Sequence, residues 1–95
     1  MEVTEETRSW LKRNRARIEA RGFTARFEKL PGEVVAIIDI ESQDVLARIY
    51  VFDTGLISCE AGTTRGVIAV DAPIDDHLPL AENLSTVTDF ILQLQ

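Results

Sequence analysis

The chain has one cysteine and one histidine in 95 residues, and each scarcity removes a class of function. A lone cysteine, Cys59, cannot close an internal disulfide, which agrees with a reducing compartment. Its place inside an apolar run predicts a buried thiol rather than a reactive one. Because His77 lies in another segment, a Cys-His nucleophile pair would exist only if folding joined the two. Paired metal-binding cysteines, an HExxH helix, a glycine-rich phosphate loop and a P-loop lysine are all missing from the sequence. No apolar run approaches the ~20 residues that cross a bilayer. The start, MEVTEETRSW, is acidic where a secretory signal would be basic and apolar, so a cytoplasmic protein is expected.

What remains is ordinary globular usage, 45% hydrophobic and 27% charged, enough for one domain over residues 1–95 and too short for separate substrate and cofactor domains. Repeats, low-complexity tracts and linkers are not found. The net charge of −6 is unevenly spread. Residues 1–30 carry eight Lys and Arg against five Asp and Glu, and residues 31–95 carry two against eleven, so the halves stand at +3 and −9. The acidic half repels nucleic acid and anionic lipid and favours a basic partner; solubility alone would also account for it.

The organising stretch is Glu33 to Ala61, EVVAIIDIESQDVLARIYVFDTGLISCEA, in which apolar runs are broken only by Ser42-Gln43-Asp44 and by Asp53-Thr54-Gly55. Both breaks carry turn residues, so the stretch reads as a three-strand meander. Alternation assigns Val34, Ala36, Ile38 and Ile40, then Val45, Ala47, Ile49 and Val51, then Ile57, Cys59 and Ala61 to a core face. The other face collects Val35, Ile37, Asp39, Glu41, Leu46, Arg48, Tyr50, Phe52, Leu56, Ser58 and Glu60, a set neither oily enough to be plainly buried nor polar enough to be plainly solvated.

Thr4 is the expected N-cap of a first helix over about residues 5–21, with Glu5 and Glu6 in its first turn and Gly22 as a left-handed cap. Its second half, KRNRARIEAR, is dense in cations without interleaved aromatics, so the arginines are expected across the acidic half or in water rather than on RNA or lipid. Alternation over residues 23–30 predicts a strand joined to the meander through Pro31-Gly32. After the meander, residues 61–66 read as a loop, a short fifth strand, Val67 to Ala72, ends at Pro73, and IDDHLPLAEN reads as a second loop. Ser85 or Thr86 is the expected cap of a last helix whose stripe is Val87, Phe90, Ile91 and Leu94. The predicted fold is α+β: an antiparallel meander of about five strands with N- and C-terminal helices, in the order α-β-β-β-β-β-α.

Candidate chemistry is sparse. Asp71, Asp75, Asp76, His77 and Glu82 match no calcium-loop spacing, and Asp39 with Glu41 would serve acid-base work only in a desolvated cleft. No catalytic residue, metal or cofactor is expected. If both helices cover the core face, aromatics and an arginine edged by acids are left open, the usual make-up of a protein-binding surface. A helix on each face, or a homodimer, would bury the same residues.

The combination of RSWLKRNRARIEARGF with IDIESQDVLARIYVFDTGLISCEA resembles the TriTu-type immunity proteins over residues 9–61. The matching positions are Trp10, Leu11, Gly22, Glu41, Ser42, Phe52, Gly55 and Glu60, with Phe52 standing where the family usually has tryptophan. The resemblance implies a bacterial cytoplasmic antitoxin that binds a cognate polymorphic toxin domain. In the prototype that toxin is an ADP-ribosyltransferase acting on elongation factor Tu and delivered by an Rhs-type protein. The expected contact residues are Asp39, Glu41, Arg48, Tyr50, Phe52, Asp53 and Glu60, on a monomer in a 1:1 complex that would cover the toxin's active site, without nucleic acid or membrane. The competing expectation is a small acidic secretion chaperone or adaptor working as a dimer.

Overall fold

Helix α1 is Val3–Ala20 and the sheet follows it as β1 (Thr24–Lys29), β2 (Val34–Glu41), β3 (Val45–Phe52) and β4 (Ile57–Thr63). A three-residue strand β5, Gly66–Ile68, and helix α2, Leu80–Leu92, complete a computed structural model that describes residues 2–68 and 74–94. The chain is α+β, an antiparallel meander between an N-terminal and a C-terminal helix, and spatial strand order equals chain order. Of the expected fifth strand only Gly66–Ile68 is described; its continuation to Ala72, its end at Pro73, and Asp71 lie outside the described residues.

Alternation decides which face is covered. Ala36, Ile38 and Ile40 on β2, Val45, Ala47, Ile49 and Val51 on β3, and Ile57, Cys59 and Ala61 on β4 are buried. They share one core with Trp10, Leu11 and Ile18 of α1 and with Leu80, Leu84, Val87 and Ile91 of α2. Both helices therefore lie on the same side of the sheet. Each fully buried aliphatic side chain contributes about 1.5–3 kcal/mol of burial free energy, and this face holds most of them.

A bulge corrects one assignment. Val34 pairs with Phe52 but Ala36 pairs with Val51, so Val35 is the extra residue. Paired residues share a face, which puts Val34 opposite Phe52 on the outer side and turns Val35 inward, where it packs against the core. The two valines have exchanged the faces that simple alternation gave them.

The first helix begins earlier than expected. Glu2 is its N-cap, without a side-chain cap, and Thr4 is inside the helix and buried, one of a stripe with Thr7, Leu11 and Ile18. At the other end the expected glycine cap is present. Gly22 takes φ +85°, its N–H donates to Glu19 O at 2.9 Å, and Phe23 N–H donates to Ile18 O at 3.3 Å, the pairing of a Schellman motif. As expected, cations of this helix reach the acidic half, here at α2 rather than over the meander, or face water as Lys12 and Arg13 do. Arg17 pairs with Asp89 of α2 at 2.7 Å, Arg21 donates to Leu92 O at the C-terminal end of α2, and Arg15 donates to Ala25 O on the edge strand.

Helix α2 also starts before its expected cap. Pro79 is the N-cap and Ser85 lies mid-helix, where its Oγ accepts the Trp10 indole N–H at 3.0 Å. Residues 80–83, expected in a loop, form the first turn. Buried Asn83 donates to Asp75 O and accepts from Asp75 N–H, which ties the preceding segment to the helix. The buried stripe is Leu80, Leu84, Val87 and Ile91; Phe90 and Leu94 are only half-buried. Among the described residues no helix is long and apolar enough to cross a membrane.

Candidate functional site

The outer face of β1–β4 carries no element of the described chain. Its residues stand in rows fixed by the register. One row is Arg26, Asp39, Arg48 and Glu60, and a second is Glu28, Ile37, Tyr50 and Ser58. Charge alternates in sign along the first row, an arrangement that stabilises directly opposed pairs.

Within it Arg48 faces both Asp39 and Glu60 and chooses Asp39. Nε donates to Oδ1 at 2.7 Å and Nη2 to Oδ2 at 3.2 Å, a two-point fork. The Asp39 side chain is 17% exposed and that of Arg48 49%, so the pair lies flat on the sheet with its arginine toward solvent. Hydrogen bonding to Asp39, then the carboxylate's charge, hold the guanidinium protonated well beyond its ordinary range. Glu60 receives the Tyr50 hydroxyl instead, at 3.2 Å. Arg26 reaches diagonally to Glu41 at 3.7 Å.

These side chains edge a shallow basin of about 520 Å³ whose lining includes Arg26, Asp39, Glu41, Leu46, Tyr50 and Gly62. Leu46, 60% exposed, is its apolar wall. At the far end of the strands Leu56, 46% exposed, and Phe52 line a second recess of about 440 Å³ with Glu33 and Asp53. There the hairpin closes through Gly55 at φ +88°, whose N–H donates to Phe52 O, and Asp53 N–H donates to Glu33 O. The two turns at this end are thus fastened together.

Of the seven residues expected at the site, Asp39, Glu41, Arg48, Tyr50, Phe52 and Glu60 share the outer face, and Asp53 sits in the adjoining turn. Asp39 and Glu41 meet arginines rather than a desolvated cleft. Arg26, outside the expected set, is outward by its alternation with Phe23, Ala25 and Phe27, but its neighbours depend on register. Leu46 and Leu56 share this face outside the expected contact set, and Gly62, expected in a loop over residues 61–66, lies instead in β4, which runs on to Thr63.

The remaining reactive groups stand apart from this face. Cys59 is buried on the core side, and burial, then the Glu60 carboxylate, push its thiol up to about 11. His77 is exposed before α2, its backbone N–H donating to Asp75 Oδ1 at 2.9 Å. Among the described residues no group of three or more His, Cys, Asp and Glu side chains is arranged to hold a metal ion. Compared with protein-family models, with curated proteins and with solved structures, the chain matches none.

Proposed function

We propose that this protein is an immunity protein, a cytoplasmic antitoxin that captures a toxin domain against the outer face of its sheet. The observation that carries the reading is the placement of both helices on one side, which leaves Leu46, Arg48, Tyr50, Phe52 and Leu56 facing outward. A sheet face with exposed leucines and a tyrosine among paired charges has the composition of a recognition surface, an apolar and aromatic centre within a polar frame. The resemblance over residues 9–61 supplies the class of partner, a polymorphic toxin, with an ADP-ribosyltransferase as the specific expectation.

Size shapes the complex. From Leu46 to Phe52 the strands run roughly 20 Å and four strands span roughly 19 Å, giving a projected area on the order of 400 Å². A stable interface takes about 800 Å² from each partner. The toxin must therefore also rest on the rim, where Glu33 and Asp53 at one end and Asp44 at the other are exposed carboxylates. Exposed carboxylates at Glu33, Asp44, Asp53 and Glu60 steer a basic toxin toward this side, and the apolar centre slows its release.

The test uses the toxin domain encoded beside this chain. Its expression should arrest bacterial growth, co-expression of the wild-type chain should restore it, and Tyr50→Ala with Phe52→Ala should lose that protection while the protein still folds. An adjoining frame without a toxin, or protection untouched by the double variant, would contradict the proposal. A tight homodimer closed over the same face would instead point to the adaptor.

A further inference from the structure

The basin at Gly62 has a chemistry of its own. Glu41, Leu46 and Gly62 are register partners across β2, β3 and β4, and Asp39, Arg48 and Glu60 form the next row. At the corner where a side chain would stand on β4 there is none, and a Cβ built on Gly62 meets no atom within 4 Å. The result is an open notch with Leu46 on one side and Glu60 on the same strand.

Electrostatics select what fits the notch. Two of the basin's three carboxylates already have a cation, Asp39 through Arg48 and Glu41 through Arg26. Glu60 has none within 4 Å among the described residues; only the neutral Tyr50 hydroxyl reaches it. Two arginines against three carboxylates leave the basin one negative charge in excess. One cation, placed at Glu60, balances it.

Resting on the reading above, we propose that the notch is the socket for a single arginine side chain of the partner. Its methylene stem lies along Leu46 and its guanidinium forks onto Glu60. The stem matches an exposed leucine because long cationic side chains cover apolar surface while their heads stay polar. The fork matches a carboxylate whose one occupied lone pair accepts from Tyr50 and whose other positions are open. An ammonium supplies a point charge without the planar two-point match, so arginine is preferred to lysine.

The experiment needs no toxin. Nα-acetyl-arginine methylamide is titrated into the isotopically labelled full chain at low salt, with the lysine and citrulline methylamides as comparisons. Saturable amide shifts at Leu46, Glu60 and Gly62 are expected for arginine, weaker ones for lysine and none for neutral citrulline. Glu60→Gln should weaken arginine binding about fivefold, the reach of one exposed charge pair. Gly62→Leu, which fills the notch, should abolish it. Equal shifts from citrulline, equal affinity for lysine, or binding indifferent to both variants would overturn the socket. Because the reagent is a small amide, that failure would leave growth protection by the Tyr50 and Phe52 face intact. Conversely, a toxin docking elsewhere would leave the titration unchanged.

Discussion

Arg48 stands opposite Asp39 on one neighbouring strand and Glu60 on the other, and gives both of its side-chain hydrogen bonds to Asp39. The choice leaves Glu60, over β4, as the carboxylate of this row without a cation. Replacing Asp39 by alanine should release Arg48 to Glu60. In nuclear magnetic resonance the Arg48 Nε–H signal should then move in Asp39→Ala and move again in Asp39→Ala/Glu60→Gln. A signal that ignores the second substitution would place Arg48 in solvent instead.

The two faces should differ in cost when trimmed. Ile49→Ala removes a fully buried side chain and should destabilise the fold by about 2–5 kcal/mol in denaturant unfolding. Leu46→Ala, three residues earlier on the open side, should stay within about 0.5 kcal/mol. Comparable losses would mean that something covers Leu46.

Much of this arrangement was readable in the sequence because strands of period two and turn residues speak locally. The meander, its core set and the outward position of Asp39, Arg48, Tyr50 and Glu60 follow from alternation alone. The exchange of Val34 and Val35 does not, since one inserted residue leaves the local pattern unchanged and shows only in the pairing with β3. The start of α2 was hidden by Pro79 and its acidic neighbours, which read as loop although Leu80, Leu84, Val87 and Ile91 continue the helical stripe. Which carboxylate each arginine holds needed register and rotamer, and no single strand carries either.

Glycine positions supply a third contrast. Gly22 holds φ +85° at the end of α1, so Gly22→Ala should cost about 1 kcal/mol through left-handed strain. Gly62 lies in β4 outside that region with open space above it, so Gly62→Ala should be close to neutral. Thermal unfolding of the two variants side by side checks the difference.

Cys59 should respond to pH in a definite direction. Burial pushes its thiol up to about 11, so at pH 8 the thiolate fraction, and with it iodoacetamide alkylation, should be far lower in the folded protein than in the unfolded chain. Folding favours the protonated thiol. That stabilisation is complete below pH 9 and is lost as pH rises through 11. Wild type should accordingly lose more stability than Cys59→Ala between those limits.

The most direct test of the open face is side-chain footprinting of the chain alone and in complex with the proposed toxin partner. Leu46, Tyr50 and Leu56 should be labelled in the free protein and protected in the complex, while α1 and α2 stay as reactive as before. Protection confined to the helices, or an outer face already unreactive in the free chain, would contradict the account.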